Sequence, residues 1–130
     1  MDMGRKKSFN EQDVVKHIGE TFIKYGYEGT SLDDLVKATG LLRGSLYSTF
    51  GSKRGMFISA LLRSIDNDPY NSQTLNLVTV AMMELTSNDK QLLDIIKNWA
   101  QNLKKDELIS LIGNAVVSRS QILKGEKNGK

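Results

Sequence analysis

Apolar residues recur at helical spacing along nearly the whole chain, and no stretch alternates in the manner of a half-buried strand. The first run predicts a helix from about Glu11 to Tyr25, with Val15, Ile18, Phe22 and Tyr25 forming its inward face. Asn10 stands where a capping side chain is needed, with Asp13 three residues on, and Phe9 is placed to staple onto Val14. Gly26 is the natural stop. Ser31-x-x-Asp34 reads as a capping box opening a second helix whose apolar stripe is Leu32, Leu35 and Val36. Thr39-Gly40-Leu41 supplies a tight turn, since glycine takes positive φ without steric cost. A short third helix, about Leu42 to Phe50, turns Leu46 and Phe50 inward. Ser52 caps a fourth that buries Phe57, Leu61 and Ile65 at spacing four.

The one proline, Pro69, sits in the polar stretch Asp66 to Ser72, which marks the expected boundary between residues 1–66 and 67–130. Beyond it the pattern predicts helices over about Ser72–Leu85, Asp89–Lys104 and Asp106–Ile122. Leu92, Ile96, Trp99 and Leu103 follow the +4, +3, +4 spacing of a helix-packing seam, and Ile109, Ile112, Val116 and Leu123 continue at compatible spacing. The expected fold is all-α: a three-helix helix-turn-helix domain, with its support helix, followed by a short helical C-terminal dimerisation region. The tail from Lys124 to Lys130 lacks apolar residues and is expected to fray.

Composition narrows the chemistry by exclusion. With no cysteine and the single histidine His17, thiol catalysis, thiolate metal sites, a His-based metal site and a catalytic triad all lack their parts. His17 reads as a structural or surface residue. No phosphate loop and no nucleophile with an adjacent base is recognisable, so neither a catalytic site nor a cofactor is expected. The most apolar run, Leu75 to Leu85, is broken by Asn76, Thr79 and Glu84 and falls far short of the ~20 residues of a membrane span. A polar stretch from Ser8 to Asp13 follows the basic start, against a secretion signal, and the expected location is the cytoplasm. A net charge of +3 says little alone. Its placement says more, because Arg5, Lys6, Lys7, Arg43, Lys53 and Arg54 fall in the terminal arm and around the short third helix.

Two short helices joined by a glycine turn and backed by a packed helix make the helix-turn-helix plan. The segment from Gly26 to Lys53 resembles the N-terminal domain of the TetR/AcrR family of bacterial repressors. The residues that carry the resemblance are the glycine-rich entry, Thr30-Ser31 before the second helix, the Gly40 turn, Gly44-Ser45-Leu46-Tyr47 and Phe50-x-x-Lys53. The leading Gly4-Arg5-Lys6-Lys7 is similar to the basic arm of many members, and the likeness spans about residues 4–65.

The resemblance implies that the third helix enters the major groove, with Leu42, Arg43 and Ser45 nearest base edges. Tyr47 would then donate to a phosphate, as would Ser48 or Thr49, and Lys53 would meet the backbone by charge. Thr30 and Ser31 would approach flanking phosphates, and Arg5 and Lys6 would follow the backbone or a minor groove. Read alone, Tyr47 is first an ordinary half-buried aromatic, Ser31 is first a helix cap, and Arg54 stays open between solvent and DNA. Leu42 departs from the polar cap usual at that position, and Gly44 offers no side chain, so readout is expected to rest on Arg43 and on DNA shape.

The implied partner is double-stranded DNA, bound as a homodimer that pairs through Trp99, Leu103, Ile109, Ile112 and Val116. A small-molecule effector fits less well, because the second half leaves little room for a pocket. The rival reading is a helical interaction protein that sequesters a longer relative by mixed dimerisation without touching DNA. Arg43, Tyr47 and Lys53 weigh against it, since such a module has no use for phosphate-directed groups.

Overall fold

The structure, a computed structural model, describes residues 10–125; Arg5, Lys6 and the Phe9 staple lie outside the described residues. Among these it contains α1 (Glu11–Tyr25), α2 (Leu32–Thr39), α3 (Arg43–Phe50), α4 (Lys53–Asn67), α5 (Ser72–Glu84), α6 (Lys90–Ala100) and α7 (Lys105–Ser120), and no strand. The architecture is all-α.

Each start has a local cause. Asn10 Oδ1 accepts from the Gln12 and Asp13 amides at 2.9 and 3.3 Å, which satisfies donors that a helix cannot pair internally. At α2 the capping box is complete: the Asp34 amide donates to Ser31 Oγ at 3.0 Å, and the Ser31 amide donates to Asp34 Oδ2 at 2.8 Å. Ser52, Asn71 and Asp89 cap α4, α5 and α6 in the same way. α7 keeps only the returning half, with Glu107 Oε1 accepting from the Lys104 amide at 2.9 Å. Gly40 ends α2 at φ 75°, ψ 6°, the left-handed conformation expected of that turn. The adjoining Leu41 amide donates to Thr39 Oγ1 at 3.1 Å, which tightens the turn into α3.

The core begins on α1 with Val14, Val15, Ile18 and Phe22 and runs without a break to Trp99 on α6. α1 packs on α2, α4 and α5, and α5 in turn carries α6 and α7. Hydrophobic packing therefore continues across the Pro69 link. Beside that link, Thr74 Oγ1 donates to the Asp68 carbonyl at 2.7 Å, and Ser64 Oγ lies 2.6 Å from Thr74 Oγ1 in a buried hydroxyl pair.

The structure departs from the sequence pattern at Tyr25, at the end of α6 and at Trp99. Tyr25 is 46% exposed rather than part of the α1 inward face; it lies in the last turn, beneath the Lys24 ammonium. α6 stops at Ala100, not Lys104, because the chain folds into a turn in which the Leu103 amide donates to the Ala100 carbonyl at 2.9 Å. Trp99 is spent inside the chain: it is 7% exposed and its indole Nε1 donates to the Pro69 carbonyl at 2.8 Å. A buried indole with its one donor satisfied has nothing left to offer a second subunit.

Candidate nucleic-acid interface

α3 is fastened to the domain by a single buried side chain, Leu46, with Phe50 partly covered behind it. Leu46 is completely buried, while Leu42 is 76% and Tyr47 45% exposed, so the opposite side of a two-turn helix is left to solvent. Arg43, Gly44, Ser48 and Thr49 share that exposure, and Ser45 is half-buried. The Ser48 hydroxyl donates to the Ser45 carbonyl at 3.3 Å, a weak local bond easily exchanged for another acceptor. Leu42 precedes α3 with no side-chain cap bond, leaving the amides of its first turn uncapped.

Arg43 does not project freely. Its guanidinium pairs with the Asp33 carboxylate of α2, and both side chains are more than half exposed, at 57 and 75%. An ion pair so wetted is worth little, so Arg43 is available to a stronger acceptor. Lys53, half-buried in the first turn of α4, sits with Nζ 4.7 Å from the centre of the Tyr27 ring. Tyr27 stacks on Phe22 at 5.6 Å and stands edge-on to Phe57 at 5.6 Å. Burial and the nearby Glu28 carboxylate raise its phenol pKa above the ordinary value.

The structure thus gathers Leu42, Arg43, Ser45, Tyr47, Ser48 and Thr49 on or beside α3, with Lys53 at the head of the adjoining helix. Ser31 is exposed at the head of α2, its hydroxyl engaged in the cap. Thr30 is the exception. It is 1% exposed and its hydroxyl donates to the Gly26 carbonyl at 2.6 Å, satisfying an orphan acceptor at the end of α1. No phosphate can reach it there, and its part is structural.

Sequence reading missed three long-range polar contacts behind this surface. The guanidinium of Arg54, which the sequence leaves open, grips Asp89 in a bidentate pair, Nε to Oδ2 at 2.7 Å and Nη2 to Oδ1 at 2.9 Å, and also donates to Gln91 Oε1 at 2.8 Å. Glu84, at the end of α5, accepts from the backbone amides of Tyr27 and Glu28, both at 2.9 Å. Arg119 of α7 donates to the Ile23 carbonyl of α1 at 2.5 Å. Only the capping role of Asp89 had a local signature.

The Arg54 guanidinium and the Leu92 amide hold the Asp89 carboxyl at a pKa of about 2, against an ordinary 3.8. A depressed folded-state pKa stabilises fully above the unfolded value and is lost as pH falls through the folded one. Urea midpoints of the wild type and Asp89→Asn should therefore differ most above pH 4 and converge toward pH 2. A gap constant across that window would mean that the pair contributes no pH-dependent stability.

A short helix pair joined by a glycine turn, its second helix bare on the outside and backed by α4, is a helix-turn-helix DNA-binding domain. Residues 18–60 match the family described as bacterial regulatory proteins, tetR family. The likeness lies in the helix-turn-helix segment, which is a TetR-type DNA-binding domain. It is 51% identical over 59 residues to an uncharacterized HTH-type transcriptional regulator, YezE, of Bacillus subtilis, a match covering 45% of this chain and 30% of that protein. It is 43% identical over 63 residues to the HTH-type transcriptional repressor ComR of Escherichia coli, covering 48% and 30% respectively. With the HTH-type transcriptional repressor AcnR of Corynebacterium glutamicum it shares 32% identity over 56 residues, covering 43% and 30%. The matched part thus spans under a third of each relative's length. No solved structure matches the chain. Among the described residues no helix is long and apolar enough to cross a membrane.

Proposed function

We propose that the chain is a transcriptional repressor, not an enzyme, that binds a palindromic operator as a homodimer in the cytoplasm. The observation that carries this reading is the α3 surface: one buried anchor, Leu46, and an outward side made of Leu42, Arg43, Tyr47, Ser48 and Thr49, flanked by Lys53. An α-helix of that width fits the major groove, where each base pair presents a distinct donor and acceptor pattern. Arg43 exchanges the Asp33 carboxylate for a base-edge acceptor, most favourably guanine O6 and N7. Tyr47 and the hydroxyls of Ser48 and Thr49 donate to phosphate oxygens, and Lys53 adds charge at the backbone; these contacts fix the register and Arg43 reads the sequence. Leu42, with no polar group to satisfy, packs against a thymine methyl. Dimerisation places a second recognition helix about one DNA turn (~34 Å) away and accounts for a palindromic site. The reading requires no small-molecule effector.

Selection of bound sequences from a random duplex pool tests it. The wild type should enrich a palindrome. Arg43→Ala should lose about 1–3 kcal/mol on the preferred site and tolerate more bases near it. Enrichment of no duplex would leave the chain as an interaction module. A site profile unaltered by Arg43→Ala would remove Arg43 from direct readout.

A further inference from the structure

Two carboxylates flank the link between α5 and α6, Glu84 at the end of α5 and Asp89 at the cap of α6, and both reach back to the DNA-binding domain. Glu84 spreads its two oxygens over consecutive amides, Tyr27 N to Oε2 and Glu28 N to Oε1, each at 2.9 Å. These amides belong to the loop that leaves α1, and the adjacent Gly26 makes the approach possible. Gly26 lies at φ 81°, and a Cβ there would sit 2.8 Å from Glu84 Oε2. The loop so held carries the Tyr27 ring, on whose face Lys53 Nζ rests at 4.7 Å. The next residue, Arg54, is turned away to Asp89, so the two neighbouring cations at the head of α4 have separate anchors.

We propose that Glu84 is a positioning residue for DNA binding: by fixing the Tyr27 and Glu28 amides it sets the Tyr27 ring as the platform that aims Lys53 at a backbone phosphate. The inference rests on the reading of Lys53 as a phosphate contact and adds a residue from outside the domain matched by the family. An ammonium on a flexible four-carbon stem loses rotamer freedom when it binds a fixed phosphate. A ring held in place beneath it restricts that freedom before DNA arrives, and the same contact leaves the charge unneutralised for the phosphate. Carboxylate chemistry is required at Glu84 because both its partners are donors. A glutamine in its place presents one oxygen and one NH2 group, so one of the two amides loses its acceptor and faces a donor instead.

The test measures duplex affinity as a function of salt for the full chain and for Glu84→Gln, Lys53→Ala and the double variant. Lys53→Ala should weaken binding to all duplexes and lower the log–log salt slope by about 0.9, the share of one phosphate contact. Glu84→Gln should lower the slope in the same direction, and the double variant should bind as Lys53→Ala does, because the two changes remove one interaction. In parallel, hydrogen exchange at the Tyr27 and Glu28 amides should accelerate in Glu84→Gln while the core amides of α4 stay protected. Tyr27→Phe, which keeps the ring face, should retain the wild-type slope, and Tyr27→Leu, which keeps the amides and loses the face, should not. Losses that add in the double variant, or a Glu84→Gln slope equal to wild type, overturn the proposal while leaving the DNA reading intact. A wild-type chain that binds no duplex overturns the DNA reading itself, and the exchange data still report whether the clamp exists.

Discussion

Phe57→Ala is expected to cost about 3–5 kcal/mol of folding stability, the range for emptying a buried aromatic site. Phe57 is completely buried, makes an edge contact with Phe22 at 5.2 Å and another with Tyr27 at 5.6 Å, and lies where α4 meets α1. The rings form one unit, so the cavity cannot close without tilting Phe22 or Tyr27, and partial collapse keeps most of the penalty. A domain of this size commands roughly 5–15 kcal/mol in all. Urea unfolding followed by circular dichroism should show the midpoint falling steeply at constant slope. A loss under about 1 kcal/mol would mean that the three rings do not form the centre of this core. DNA binding should weaken as well at temperatures where both forms are folded, because Tyr27 also underlies Lys53.

Local signals in the sequence were enough to locate most helices. Asn10, the Val15–Ile18–Phe22 spacing and Gly26 place α1 correctly, and Ser31 with Asp34 places α2, because caps and periodicity act within a few residues. The end of α6 carries no such mark: no glycine or proline stands at residues 101–104 and the apolar spacing continues to Leu103, whereas the chain turns there with the Leu103 amide bonded to the Ala100 carbonyl. Tyr25 looked like core because spacing cannot distinguish a last-turn residue that has run out of neighbours. The resemblance directs Thr30 to a phosphate together with Ser31, whereas its hydroxyl points inward to the Gly26 carbonyl. The α3 surface was legible from the Gly40 turn and one inward leucine. Its support was not, since Arg54 with Asp89 and Tyr27 with Glu84 are 35 and 57 residues apart. Nothing in either partner's local sequence selects the other.

Val116→Glu is expected to convert the proposed dimer into monomers and to weaken operator binding by about 10²–10⁴-fold, the advantage that a second linked binding site supplies. α7 has no fully buried residue. Leu108, Leu111, Ile112 and Ala115 face the core, whereas Ile109, Val116 and Val117 are 57, 47 and 40% exposed on its other sides. The same chain end leaves Ile122 and Leu123 at 72 and 56% exposure. Apolar side chains two turns apart on one side of a helix, open to water, are a common mark of an interface. Of the residues assigned to pairing by spacing, Ile109 and Val116 are therefore the usable ones. Leu103 and Ile112 are half-buried against the chain's own core and Trp99 is fully engaged there. A charge at Ile112 would disturb the packing of α7 on α5 and confuse folding with assembly, whereas a charge at Val116 leaves that packing in place. Val116→Glu should accordingly keep its helical signal and its thermal midpoint extrapolated to low concentration. Its sedimentation should be that of a single chain, and it should bind an isolated half-site as the wild type does. A wild-type chain that sediments as a monomer at micromolar concentration while binding a palindrome tightly would sink the dimer. A Val116→Glu variant that stays dimeric would move the interface away from this side of α7.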